Sequence, residues 1–173
     1  MPVVKMSTMV SKAVYYDEER KYRYFLSRTW DKNKKIVTVL MLNPSKANTI
    51  VSDKTVNNVI QYFAESEYGS VKVVNLFAYA SPDPTELKNR DKHMEDLNDE
   101  YIKCACKNSH LIIIAWKRGD RKPRKRQVAK MLQKFENKLK CFQDEKGKKP
   151  RHPRDLNKNW TLVDYNFSEI ENE

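Results

Sequence analysis

The sequence predicts an α/β protein of three layers, helix, sheet and helix, around a mostly parallel central sheet. Short runs of β-branched and aliphatic residues alternate along the chain with segments whose apolar residues recur at helical spacing, the order expected of strands joined by crossover helices. The strand runs are apolar on both faces, which is typical of strands covered by helices on both sides. With 173 residues the chain is about the size of one domain, so we expect a single domain over 1–173, frayed at 1–10 and 166–173.

The elements of the first half follow from local periodicity. Residues 11–30 alternate in part between apolar and polar, which predicts one or two antiparallel or edge strands. The run KIVTVLML at 35–42 predicts the first buried strand. Residues 54–66 carry apolar side chains at the spacing of one helix face, with Asp53 as a candidate N-cap. The run VKVVNLFAY at 71–79 predicts a second buried strand.

The second half continues the alternation. A helix is predicted over 91–107 and a third buried strand, HLIIIAW, over 110–116. One further helix is predicted from the spacing of Val128, Met131, Leu132, Phe135 and Leu139. Residues 140–143 suit a short last strand, and the acidic tail either frays or adds an edge strand at 160–163.

Composition excludes several classes of protein. No apolar run approaches the 18 or so residues of a membrane span, so no membrane partner is expected. The chain has three cysteines, an odd number without a CxxC pair, which argues against a disulfide framework or a zinc site and favours a reducing, cytoplasmic setting. Three glycines leave no glycine-rich phosphate loop, and neither HExxH nor GxSxG occurs. We therefore expect no cofactor and no metal.

The positive charge is concentrated in one segment. Residues 117–154 contain 16 Lys and Arg against 4 Asp and Glu, a net charge of +12, so the rest of the chain sums to −1 of the total of +11. An asymmetry this local indicates a polyanionic partner. The alternative is a surface that serves solubility.

Polar residues follow the predicted strands at the edge where ligands bind in open α/β sheets. Asn43, in the sequence Asn43-Pro44-Ser45 after the first buried strand, orients a water, reads the edge of a polar ligand, or caps a loop. Asn75 near the end of the second strand either reads the edge of a base or ties down the following loop. Phe77 either stacks on a base or belongs to the core. We include Ser45 among the base-binding candidates.

The loop GKKPRHPRD at 147–155 presents His152 between two prolines. Prolines restrict the backbone, so the loop can hold the imidazole at a defined place, where it acts as an electrophile or proton donor, or only contacts phosphate. Asn43 and His152 are the candidate catalytic residues.

Cations dominate the segment after the third buried strand. The stretch 117–126 has seven in ten residues and leads into a helix on which Arg126, Lys130, Lys134 and Lys138 recur at i+4. Their mutual repulsion would be relieved by an anion lying along the row, although a solvated face gives the same pattern. The nucleic-acid-binding candidates are Lys117, Arg118, Arg121, Lys122, Arg124, Lys125, Arg126, Lys130, Lys134, Arg151 and Arg154.

Six blocks of sequence, YRYFLSRTW, LMLNPSKAN, DKT, VVNLFAYASPDP, IIIAW and GKKPRHPRDL, occur in that order. On these blocks the chain is identified as a member of the domain-of-unknown-function family 1643 over nearly its whole length. The resemblance implies a DNA-associated role, since members commonly accompany phage and mobile genetic elements. The chain departs from the family pattern at Lys117, where the family tends to have glycine, and at Lys54 in the block the family has as DPT.

The same blocks are more distantly similar to the uracil-DNA glycosylase superfamily, which implies a three-layer α/β fold with a parallel sheet. Carried over, the resemblance implies that Asn43 handles the attacking water, Asn75 reads a flipped base, and His152 is the electrophile of a loop that also supplies an intercalating wedge. Asn43 replaces the usual Asp, and the run 154–156, Arg-Asp-Leu, replaces small residues. The resemblance therefore implies the fold more strongly than it implies uracil excision.

Three functions remain open from the sequence. The first is a DNA-binding protein, for single or double strands, with a glycosylase-like fold and little or no uracil excision. The second is an active DNA glycosylase or other base-processing enzyme acting on a flipped, modified base. The third is a protein-interaction module whose basic face binds an acidic or DNA-mimic protein.

Overall fold

A seven-stranded sheet runs through the molecule in the computed structural model, which describes residues 9–173 apart from the side chain of Glu95. The strands are β1 Val10–Tyr15, β2 Arg23–Thr29, β3 Lys35–Met41, β4 Tyr68–Asn75, β5 Leu111–Ile114, β6 Leu139–Gln143 and β7 Thr161–Asp164. Their order across the sheet is β1-β2-β4-β3-β5-β6-β7. Each predicted strand is present, with bounds that differ by a few residues.

The sheet is mixed, so the expectation of a mostly parallel sheet is wrong. The pairs β4–β3, β3–β5 and β5–β6 are parallel, whereas β1–β2, β2–β4 and β6–β7 are antiparallel. The reason lies in the connections. Parallel neighbours need a long crossover, usually a helix, and only the strands from β3 to β6 are joined through α-helices.

Helices cover both faces of the sheet. Helix α1, Lys54–Ala64, packs Val59 and Phe63 on the face that carries Val39, whereas Leu40 points to the opposite face. Helices α2, Glu95–Lys107, and α3, Lys122–Leu132, lie on that opposite face. Short 3₁₀-helices occupy Pro84–Asn89, Lys92–Met94, Gln133–Lys138, Pro153–Asp155 and Phe167–Ile170. No helix in residues 9–173 is long and apolar enough to cross a membrane.

Two local predictions about helices have different outcomes. Asp53 caps α1 as expected, because its carboxylate accepts a hydrogen bond of 2.9 Å from the Val56 amide. The long basic row is wrong, because α3 ends at Leu132 and the chain continues as a 3₁₀-helix. A 3₁₀-helix has three residues per turn rather than 3.6, so Lys134 and Lys138 leave the row that Arg126 begins.

The end of the chain folds back onto the molecule. The edge strand predicted at 160–163 matches β7, which pairs antiparallel with β6. Beyond it, where the sequence predicts fraying over 166–173, a capping box at Asn166 opens the 3₁₀-helix Phe167–Ile170, and Phe167 and Ile170 are buried. At the other end, most of the segment 1–10 lies outside the described residues.

Candidate functional site

The carboxyl ends of β3 and β4 are bound to each other beyond the sheet ladder. The Phe77 amide donates to the Leu42 carbonyl at 3.0 Å, and the Ser81 amide donates to the Pro44 carbonyl at 2.9 Å. Asn43 strengthens the same link, because its Nδ2 donates to the carbonyls of Pro44, at 3.1 Å, and Ser81, at 2.8 Å. The Asn43 amide nitrogen therefore ties two loops together, and its Oδ1 is the atom that remains for an outside ligand.

Asn75 ends β4 inside the protein. It is 1% exposed, and its carbonyl accepts a hydrogen bond of 2.9 Å from Asn98 Nδ2. Its own Nδ2 is buried and has no hydrogen-bond partner in the described structure. A buried donor without a partner costs about 1–3 kcal/mol, so the Asn75 amide is suited to a ligand that brings an acceptor.

Two arginines of β2 lie beside these loops, and neither was predicted from the sequence. Arg23 and Arg28 are each only 3% exposed. Arg23 Nη1 donates to the Ala47 carbonyl and Arg28 Nη2 to the Asn48 carbonyl, so both side chains reach the loop between β3 and α1. Among the described residues no carboxylate forms an ion pair with either arginine, and Arg23 Nε has no hydrogen-bond partner. We call these two residues the arginine pair.

The arginine pair remains cationic at neutral pH. Burial lowers the pKa of Arg23 to about 10, against the opposing effect of Tyr15 and Asp53. Burial likewise lowers the pKa of Arg28, and the same two residues oppose it. A guanidinium stays protonated in proteins at neutral pH because its ordinary pKa is so high. Two positive charges are therefore held with little solvent around them.

His152 lies on the same side of the sheet, next to α1. Asn58 of α1 donates from Nδ2 to the carbonyls of Pro153, at 3.3 Å, and Arg154, at 2.8 Å. These bonds fix the loop 147–155, the late loop, on the helix. The His152 side chain is exposed, and its Nδ1 accepts from the Arg154 amide at 3.2 Å. Desolvation by the surrounding protein lowers the pKa of His152, while Asp53 acts in the opposite direction.

Asp53 thus links the candidates on this side of the sheet. Its charge acts on both members of the arginine pair and on His152. Asn43 and Ser45, which is exposed, stand in the loop that leads to Asp53. The loop that begins with Asn43-Pro44-Ser45, the NPS loop, and the late loop at 147–155, the PRHP loop, are therefore on one side of the molecule. Pro153 is buried, so the late loop does not present it as a wedge.

Phe77 lies against a different group of residues. Its ring is 3% exposed and the guanidinium of Arg90 lies 4.6 Å from the ring centroid. The guanidinium groups of Arg121 and Arg124 each lie 6.0 Å from it. The face of the ring is therefore covered by protein cations instead of standing open for a base.

Ion pairs within the described structure occupy only part of the basic segment, 7 of its 16 Lys and Arg residues. Lys125, which is buried, pairs with Glu173, and Arg126 pairs with Glu171 at 2.6 Å. Arg124 pairs with Asp99 at 2.5 Å. Within the described residues, the other ion pairs of the segment are Arg121 with Asp120, Lys140 with Asp164, Lys149 with Glu169, and Arg151 with Asp144. Arg118 donates a hydrogen bond to the carbonyl of Asn172. Within residues 9–173, no ion pair is found for Lys117, Lys122, Lys130, Lys134 or Arg154.

No group of three or more His, Cys, Asp or Glu in the described part of the chain is arranged to hold a metal ion. The donors of the candidate site are instead amide and guanidinium groups. Such groups bind anions and carbonyl oxygens, so the arrangement suits a ligand rich in acceptors.

Comparison with known proteins assigns the chain to a family. A family model described as a protein of unknown function, DUF1643, matches residues 23–154. The chain belongs to the DUF1643 family. The match runs from the first arginine of the pair to the end of the PRHP loop, so the family region contains the candidate site and leaves out the glutamates at 169, 171 and 173.

No curated protein and no solved structure matches the chain. The family has no assigned function in its description, and these comparisons do not support the resemblance to the uracil-DNA glycosylase superfamily. The candidate site must therefore be interpreted from its own chemistry.

Proposed function

We propose that this protein binds nucleic acid, with DNA as the expected ligand, along the carboxyl edge of the sheet where α1 begins. The arginine pair is the observation that carries the proposal. Its two guanidinium groups are buried without a carboxylate partner in the described structure, and they remain charged.

The electrostatics favour a phosphate beside these arginines. Removing a cation from water costs several kcal/mol unless a counter-charge compensates it. Asp53 is the acidic residue that acts on both arginines, but its carboxylate also accepts from the Val56 amide at the start of α1. A phosphate brings further negative charge, and the planar fork of arginine matches its oxygens.

Exposed cations along the same edge extend the proposed surface. Lys46 follows β3, Lys117 follows β5, and Arg154 lies in the 3₁₀-helix that packs on α1. All three side chains are exposed, and none forms an ion pair within the described residues. Contacts of this kind position the sugar-phosphate backbone without reading its sequence.

The test is a salt titration of binding to fluorescent single- and double-stranded oligonucleotides. We expect binding at low salt, with the logarithm of the affinity falling linearly against the logarithm of salt concentration. Lys46→Gln should lower the slope by about 0.9 on duplex DNA if that residue contacts one phosphate. Lys103→Gln is the matched control, because Lys103 is already paired with Glu100 at 2.9 Å on α2.

Two results would overturn the proposal. One is the absence of binding to either oligonucleotide at low salt. The other is an equal effect of Lys46→Gln and Lys103→Gln, because binding would then follow total charge and not this edge of the sheet.

A base-processing activity is the second candidate, favoured by the buried, unpartnered Nδ2 of Asn75. In this proposal the fold is glycosylase-like, Asn75 reads the edge of a flipped base, Asn43 Oδ1 orients a water, and His152 stabilises the leaving group. The test is product release from oligonucleotides that carry modified bases. If the wild type and the double variant Asn43→Ala/His152→Ala both release nothing, this candidate is rejected and DNA binding is unaffected.

A further inference from the structure

An exposed aliphatic tip stands on the loop between β3 and α1. Ile50 is 91% exposed and Val51 is 55% exposed, and Ile50 is the most exposed large hydrophobic side chain in residues 9–173. Solvent exposure of one such side chain is ordinary. Two neighbouring ones at the tip of a loop surrounded by polar and cationic groups require a reason.

The tip is held in one conformation by its own hydrogen bonds. Asn48 Oδ1 accepts from the amides of Ile50 and Val51, both at 2.8 Å, and the Asn48 amide donates to the Val51 carbonyl at 2.8 Å. A side chain that bonds the backbone two and three residues ahead closes a tight turn. Ile50 and Val51 are therefore presented on a defined turn.

The arginine pair fastens the base of this turn to the sheet. Arg23 donates to the carbonyl of Ala47 and Arg28 to the carbonyl of Asn48, the residue that closes the turn. After the turn the chain enters α1 directly through its cap, Asp53. The apolar tip is consequently anchored on both sides, with buried positive charge beneath it.

We infer that Ile50, with Val51 beside it, is a wedge that enters between neighbouring bases of the bound nucleic acid. The inference rests on the proposed function. The wedge would be the element that distorts the bound nucleic acid. Apolar side chains inserted at a base step unstack the bases and kink a duplex.

The size and surroundings of the tip favour a nucleic acid over other occupants. A stable protein interface buries about 800 Å² on each partner, much more than two aliphatic side chains supply. A membrane-binding surface usually offers a longer apolar face. Here the apolar part is two residues wide, on a loop that also carries Lys46 and whose base the arginine pair contacts, which suits a single base step flanked by phosphates.

The experiment uses the full chain and a DNA duplex that carries 2-aminopurine, whose fluorescence rises when the base is unstacked. We expect the wild type to raise this fluorescence on binding. Ile50→Ala should remove most of the rise and weaken binding about tenfold, with the salt slope unchanged because no phosphate contact is lost. Ile50→Leu should restore both.

Leu97→Ala is the matched control, because Leu97 is an aliphatic residue of α2 that is 47% exposed, and it should behave as the wild type. Wild-type binding without a rise in fluorescence, or a rise that Ile50→Ala retains, rejects the wedge and leaves DNA binding standing. Binding of anionic vesicles that Ile50→Ala abolishes, with DNA binding unaffected, rejects it in favour of a membrane. Absence of any DNA binding by the wild type rejects the wedge together with the proposed function.

Discussion

The cations beside α1 and the cations beside α3 differ in what neutralises them. Arg23 and Arg28 donate to backbone carbonyls and have no carboxylate partner among the described residues. Lys125 and Arg126 pair with glutamates near the end of the chain. In the sequence, the residues in and around α3 carry far more positive charge than those around α1. Charge density in the sequence therefore does not indicate which cations are unpaired, because ion pairs within the protein occupy some of them.

The largest difference between the two regions should appear in stability. Lys125→Ala leaves Glu173 without its buried partner, and breaking a buried ion pair costs about 3–5 kcal/mol. Lys125→Met/Glu173→Leu removes both charges and should recover most of the loss. Urea unfolding measures both, with Arg126→Gln as an exposed-pair control that should show no measurable change. If Lys125→Ala is as stable as the wild type, the buried pair of Lys125 and Glu173 does not contribute to stability.

The next largest difference should appear in DNA affinity. Arg28→Gln should weaken binding about 10-fold to 100-fold, because the proposed phosphate loses a buried positive charge beside it. Arg126→Gln should change it less than about twofold, because Glu171 already occupies that guanidinium. Fluorescence anisotropy measures both, and circular dichroism checks the fold. Arg28→Lys keeps the charge without the planar fork and should give an intermediate affinity; equal losses at Arg28 and Arg126 would remove the distinction between the regions.

A smaller effect should follow from freeing the cations that the glutamates occupy. The double variant Glu169→Gln/Glu171→Gln releases Lys149 and Arg126 from their ion pairs. We expect a modest gain in DNA affinity and a salt slope steeper by up to about 0.9 for each cation that reaches a phosphate. Ser168→Gln adds the same side chain at an exposed position of the same 3₁₀-helix without releasing a cation and should change neither. No change of slope in the double variant would show that the α3 side lies outside the contacted surface.

The smallest effect concerns pH. Because the protein lowers the pKa of His152 below 6.5, a nearby phosphate would favour the imidazolium, and DNA affinity should rise as the pH falls from about 8 to about 6. In the free protein the sign is opposite: the stability linked to His152 is present above the pKa of the unfolded chain and is lost as the pH falls through the lower folded pKa. His152→Asn should flatten both profiles. A parallel pH profile for this variant would assign the effect to another group.

Much of the fold could be predicted because its signals are local. The runs at 35–42 and 110–116 are apolar on both faces, and Asp53 precedes a helical pattern, so strand, cap and helix follow from neighbouring residues. Antiparallel or edge strands were predicted over 11–30, but the antiparallel pairings of β2 with β4 and of β6 with β7 were not, because strand direction depends on the connections and not on the strand's own residues. The prediction of one continuous basic row was wrong because the α-helix ends at Leu132 and a 3₁₀-helix follows. No proline or glycine in the sequence marks that change.

The candidate site was predicted in part. Asn43 and Asn75 were found because each follows or ends a predicted strand, and His152 because it lies between two prolines. The arginine pair was missed because an arginine in an alternating strand is usually exposed. The one available signal was the position of Arg28 two residues beyond Leu26, on the face of β2 that carries core residues.

From the sequence alone, the number and kind of buried elements and the location of the excess charge were determined, because periodicity and composition are properties of neighbouring residues. Which groups the charged side chains contact was decided only by the tertiary structure. Lys125 and Glu173 are 48 residues apart in the chain, Arg126 and Glu171 are 45 apart, and Arg23 lies 24 residues from the carbonyl it contacts. Electrostatic interaction depends on distance in space, and folding brings these groups together.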